Sequence, residues 1–119
     1  IFNGFLQNRN EKVAKYQVEN ASFLLEQQKL SLTSQLSSLY ASYQTNLELV
    51  KVEEKNLEIA KQNLDITLAK FKIGTITTIE FRTAQQNFVE ASVRYSNAQY
   101  VTKLSEINLK ELAGTLQLN

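Results

Sequence analysis

Histidine and cysteine are both absent from the 119 residues. The chain therefore lacks the usual zinc and transition-metal ligands, the thiol nucleophile and the side chain that most often moves protons near neutrality. What remains for chemistry is hydroxyl, carboxylate and amine, with Ser and Thr plentiful beside twelve Asp plus Glu and thirteen Lys plus Arg. These groups fall on polar helix faces without converging on a pocket, and a charge on such a face is ordinarily just solvated. No catalytic activity, metal or cofactor is expected. One spacing does carry local chemistry: in Thr77-Thr78-Ile79-Glu80 the Thr77 hydroxyl can accept from the Glu80 amide while the Glu80 carboxylate reaches back, a capping box. The net charge of +1 provides no field that favours nucleic acid or an anionic membrane surface. Without Cys there is no disulfide framework, and the chain suits an oxidising or a reducing compartment equally.

The elements that position these groups are helical. Proline is absent and glycine occurs only at Gly4, Gly74 and Gly114, so almost nothing interrupts a helix. No run approaches the roughly 18 apolar residues of a spanning helix, and no basic-then-apolar signal segment opens the chain. Because the sequence starts at Ile1 and contains no Met, a processed chain or a piece of a longer polypeptide is expected, the latter being favoured. Its size suits one unit rather than two with separate cores.

From Leu36 onward one apolar stripe reads Leu36, Leu39, Tyr43, Leu47, Val50, Leu57, Leu64, Leu68, Phe71, in steps of three, four or seven. A second stripe of Leu49, Val52, Ile59, Ile66 and Ile73 sits two positions off, roughly 200° around the helix. After Gly74 a regular seam follows: Phe81, Ala84, Phe88, Ala91, Tyr95, Ala98, Thr102, Ser105, Leu109, Leu112. It alternates steps of three and four, as in a coiled coil, and the alanines at every seventh place allow a partner backbone to approach closely. Val93, Tyr100, Leu104 and Ile107 form a second row on this arm too. Stripes at helical spacing fit an ordinary antiparallel helical core, but two rows per arm call for neighbours on both flanks.

The punctuation between the arms is dense. Lys70 and Lys72 suit a last helical turn, and Gly74 suits a left-handed residue just past it. Ile76 and Phe81 occupy the two positions of a hydrophobic staple around the Thr77 cap, and Lys110 and Gly114 mark a further stop. The spacing predicts an all-α fold, a long antiparallel αα-hairpin of coiled-coil type with unequal arms. Its expected boundaries are a long helix over 5–72, a tip turn over 73–77, a return helix over 78–113 and a tail over 114–119. The first arm would extend on the order of 100 Å, and its weakest stretch is the Ser/Thr-rich run over 31–45. With the turn centred near residue 75, residues 6–36 have no partner within the chain, although they carry Leu6, Val13, Val18, Phe23, Leu24, Leu25 and Leu32.

Several residues, taken in order, carry a family resemblance: Ile1-Phe2-Asn3-Gly4 ahead of a long helix, Phe71-Lys72-Ile73-Gly74-Thr75 at a tip, Glu80, then Ala84-Gln85, Ala98-Gln99-Tyr100 and Leu112-Ala113-Gly114-Thr115-Leu116. Together they resemble the TolC-like outer membrane efflux proteins of Gram-negative bacteria, specifically the second of that family's two internal repeats. The resemblance implies a trimeric tube with a β-barrel in the outer membrane and an α-barrel in the periplasm. Residues 1–4 would be the end of a barrel strand, and this chain would be a periplasmic part of the wall. A short helix elsewhere in the same protomer would then cover residues 6–36.

In that family the hairpin tips form the periplasmic aperture and meet the adaptor protein of a pump that also includes an inner-membrane transporter. The resemblance carries adaptor contact and aperture roles onto Phe71, Lys72, Ile73, Gly74, Thr75 and Ile76, with Glu80 as an acidic residue near the aperture. The alternative reading of Glu80 is that it is only the capping-box partner. Familiar members place a tyrosine and an arginine in polar links that hold the aperture shut, where this chain has Phe71 and Ile76; a second acidic position is here Thr83. Alternative readings are the α-hairpin of a periplasmic adaptor and a free-standing structural coiled coil. The adaptor tip pattern of Arg, Leu four on and Ser seven beyond is missing, since Arg82 and Arg94 are followed four later by Gln86 and Ala98.

Overall fold

A computed structural model describes residues 3–117. It contains two helices, α1 over Asn3–Lys72 and α2 over Thr78–Gln117, and no strand among the described residues. The fold is all-α, an αα-hairpin with unequal arms. By packing, the chain divides into two units, Ile1–Ser37 and Ser38–Asn119.

The first unit is one stretch of α1. Its described side chains are exposed, Phe5, Val18, Phe23 and Leu24 among them, except Leu32 and Leu36, which are half-buried. The Ser/Thr-rich run over 31–45 is helical throughout. Its hydroxyls are absorbed by the helix: Thr33 Oγ1 donates to the Lys29 carbonyl at 2.8 Å and Thr45 Oγ1 to the Ala41 carbonyl at 3.0 Å. Bonds of this kind satisfy the side chain without ending the helix.

The second unit holds the core. Ala84, Ala91 and Ala98 are 4%, 1% and 5% exposed. The rest of the α2 seam, Phe81, Phe88, Tyr95, Ser105, Leu109 and Leu112, is half-buried, and Thr102 is buried. Facing them on α1 are Leu39, Tyr43, Asn46, Val50, Glu53, Leu57, Ala60, Leu64 and Thr67, all half-buried. Their alternating steps of three and four match those of α2, the knobs-into-holes pattern of a coiled coil. The small alanines on α2 leave room for larger side chains such as Val50, Leu57 and Leu64 on α1, so the backbones can approach closely.

Three details differ from the sequence expectation. Leu47 lies outside the seam, exposed on its edge, and Asn46 holds the place instead. Asn3 and Gly4 belong to α1, where the resemblance implied a strand end; Ile1 and Phe2 lie outside the described residues. α2 runs through Gly114 to Gln117, past the expected stop at 113. Gly114 takes no left-handed conformation, so it costs the helix about 1 kcal/mol in propensity without terminating it, and Leu116 beyond it is half-buried.

Candidate functional site: the hairpin tip

α1 ends in a Schellman motif. The Gly74 amide donates to the Phe71 carbonyl at 3.0 Å and the Thr75 amide to the Lys70 carbonyl at 3.0 Å, which satisfies two of the carbonyls a helix end leaves open. Gly74 has φ of 78°, the left-handed conformation this motif requires and that Gly adopts without penalty. The Thr75 hydroxyl adds a second donor to the Lys70 carbonyl at 3.0 Å.

α2 begins with the capping box. The Glu80 amide donates to Thr77 Oγ1 at 3.2 Å, and the Thr77 amide donates to Glu80 Oε2 at 2.7 Å. The Phe81 amide donates to the Thr77 carbonyl at 3.2 Å, the first bond of the helix. Donation from the Thr77 amide and hydroxyl, with the nearby Lys70 charge, holds the Glu80 carboxyl below its ordinary value. The carboxylate at the first turn also favours the helix dipole.

Across the turn the Phe71 and Phe81 rings stack, with centroids 5.0 Å apart and planes 10° from parallel. This aromatic pair closes the end of the seam. Ile76 is half-buried beside the cap, while Ile73 and Ile79 project into solvent at 74% and 77% exposure. Lys72 is exposed at the end of α1. The tip thus presents two bare isoleucines and a lysine on a turn whose Ile73, Gly74, Thr75 and Thr77 amides are internally engaged.

Such a surface offers shape and apolar contact. Both tip hydroxyls with a fixed role, Thr75 and Thr77, are occupied in capping. No group of His, Cys, Asp or Glu among the described residues has the arrangement of a metal site. The family model for outer membrane efflux proteins matches residues 1–115. The chain belongs to that family.

Individual relatives of this efflux-family chain are the outer membrane proteins TolC of Escherichia coli K12, 25% identical over 98% of the chain, and of Salmonella enteritidis, 24% identical over 98%. The Vibrio cholerae TolC is 27% identical over 97% of the chain. The chain spans about a quarter of the length of the first two and 30% of the third. No solved structure matches it significantly. No helix among the described residues is long and apolar enough to cross a membrane.

The seven residues assigned to the tip from sequence span positions 71–80 and fall in three different situations. Gly74, Thr75 and Glu80 build the caps, Phe71, stacked on Phe81, and Ile76 are partly covered, and Lys72 and Ile73 are exposed. Sequence reasoning passed over Ile79, the most exposed apolar side chain of the tip. Its position inside the capping box, where the intervening residues point outward, was the available signal.

Proposed function

We propose that this chain forms part of the periplasmic wall of a trimeric outer membrane efflux channel and supplies the tip that meets the pump's adaptor. The family match over residues 1–115 carries the reading. Consistent with it, α1 keeps a second apolar row bare: Leu49, Val52, Ile59 and Ile66 are each about half exposed, as a stave with neighbours on both sides would be. The channel conducts passively and works with an inner-membrane transporter; its outer membrane anchor is a β-barrel beyond these helices.

At the aperture, Phe71 and Ile76 offer no polar link, so closure rests on apolar contact among tips, with Glu80 setting the local charge. Ile73 and Ile79 form the adaptor-facing knob. The test uses the intact channel in planar bilayers and in adaptor pull-down. Ile73→Asp is expected to abolish adaptor capture without changing conductance, and Phe71→Ala to raise passive ion leakage. Wild-type capture by Ile73→Asp, or unchanged conductance for Phe71→Ala, would remove the corresponding role from the tip.

A further inference from the structure

Within the second unit, the two flanks of α1 beside its seam are chemically unlike. Two columns of residues stand symmetrically about the seam, each roughly 130° from its centre line. On one side are Val52, Ile59 and Ile66, all aliphatic and about half exposed. On the other are Lys51, Glu58 and Asp65, ionic and open to water, the Lys51 and Glu58 side chains being 68% and 54% exposed. Glu54 and Lys61 also lie on the ionic side, and Glu48 and Lys55 stand opposite the seam. On α2 the exposed row of Val93, Tyr100 and Ile107 lies roughly 170° from the seam.

This asymmetry sets which way a wall of such helices bends. With α2 on the seam and a further helix on the aliphatic column, both neighbours of α1 fall within roughly 130° on one side, and roughly 230° stays open on the other. At α2 the two directions are nearly opposite, so α2 adds little bend. A row of helices joined in this way curls towards the narrow side of α1, and on closure that side becomes the inside of the tube. The narrow side holds the groove between the two helices, about 420 Å³, lined by Asn56, Asn63, Asn87, Glu90 and Arg94 among others. Arg94 is engaged by Glu53 at 3.2 Å, and Glu90 Oε1 accepts from Gln86 Nε2 at 3.1 Å. Amides sealed dry against another helix would each need a partner, whereas water satisfies them at no such cost.

We propose that this amide-lined groove faces the water-filled bore of the channel, and that the ionic column of Lys51, Glu58 and Asp65 faces outward. The assignment rests on the channel reading above and adds which side of the hairpin a passing solute meets.

Asn63 and Asp65 are both exposed in the hairpin, so only the assembled wall can tell them apart. Asn63→Cys and Asp65→Cys are introduced singly into the intact channel, freed of any other cysteine, and treated in planar bilayers with a bulky anionic methanethiosulfonate. Labelling is expected to cause a stepwise loss of single-channel current for Asn63→Cys and none for Asp65→Cys, with mass spectrometry confirming the label at both. Asn87→Cys, on the same groove, serves as a second inner site should Asn63→Cys fail to assemble, and the same loss is expected there. A loss confined to Asp65→Cys, or unchanged current with Asn63→Cys or Asn87→Cys fully labelled, would overturn the proposal. Slow labelling in the groove beside fast labelling of Asp65→Cys would also overturn it, by showing a helix seated there, while the channel reading stood. Absence of any current from the unsubstituted protein would instead strike the channel reading itself and this assignment with it.

Discussion

Residues 38–72 and residues 3–37 belong to the same helix and carry comparable apolar side chains, yet they differ in what those side chains touch. In the later stretch Val50, Leu57 and Leu64 are half-buried in a seam. In the earlier one Phe5, Val18, Phe23 and Leu24 are each more than 60% exposed. All five ion pairs among the described residues also lie between Glu48 and Lys110. Helical spacing makes an apolar row; only a second helix arriving at it makes a core.

The largest effect that would break this contrast is association of the chain in solution. Phe23, Leu24 and Leu25 each stand to gain about 1.5 to 3 kcal/mol on full burial. The chain is therefore expected to self-associate at micromolar concentration, through residues 3–37, as read by light scattering. A monomer of 13.6 kDa would show that the bare stretch tolerates water.

Substitutions should sort the two stretches next. Ala91 is 1% exposed, and Ala91→Leu overpacks the seam at a cost of about 1 to 3 kcal/mol. Below the concentration at which chains associate, Leu24→Ala should change unfolding by less than about 0.5 kcal/mol, since in the single chain an exposed site offers little to lose. Denaturant unfolding of the two variants tests this, and equal losses would erase the distinction between the stretches.

The tip sharpens the comparison from the other end, because it is held by local bonds. Thr77→Ala removes the acceptor for the Glu80 amide and should cost about 1 kcal/mol. Gly74→Ala forces a Cβ into φ of 78° at a similar cost of about 1 kcal/mol. No neighbouring atom would meet that Cβ, so the penalty is backbone strain alone, and Gly74→Asn should recover part of it. Equal stability of the Ala and Gly forms would refute the left-handed assignment.

Local rules made the α2 seam and both caps legible in the sequence. Every α2 seam position is apolar or small, so spacing alone picks them out; Gly74, Thr77 and Glu80 act within a few residues of themselves. The α1 seam was half legible. Val50, Leu57, Leu64 and Phe71 repeat every seven residues, and so do Asn46, Glu53, Ala60 and Thr67, but the second column is mostly polar and a search for apolar rows passes it by in favour of Leu47. Its burial depends on Ser105, Thr102 and Arg94 arriving from the other helix, a fact about azimuth that no single-helix pattern contains. Gly114 misled for a related reason: glycine ends a helix only where the chain takes the left-handed turn, and there α2 continues instead. The apolar character of residues 6–36 was visible; these side chains are exposed except Leu32 and Leu36, which are half-buried.

The smallest expected effect is electrostatic and separates two kinds of carboxylate within the hairpin. Glu106 accepts from Lys110 and Lys103, both at 2.9 Å, and these partners, Lys110 foremost, push its carboxyl down from 4.5 to about 2. Glu80 is also lowered, but chiefly by the Thr77 amide. A carboxyl whose value is lower folded than unfolded stabilises the fold above its unfolded value and loses that contribution as pH falls through the folded one. Glu106 should therefore lower the thermal midpoint as pH drops from about 4.5 towards about 2, and Glu80 should do so as pH falls below its ordinary 4.5. Lys103 and Lys110 are 67% and 73% exposed, so salt should blunt the Glu106 part strongly. The Glu80 part, made by a backbone hydrogen bond inside a cap, should persist in salt. Thermal melts of Glu106→Gln and Glu80→Gln across that pH range, at low and high salt, distinguish them: an acid response lost equally in both at high salt would mean that the cap, like the lysine pairs, acts only through charge.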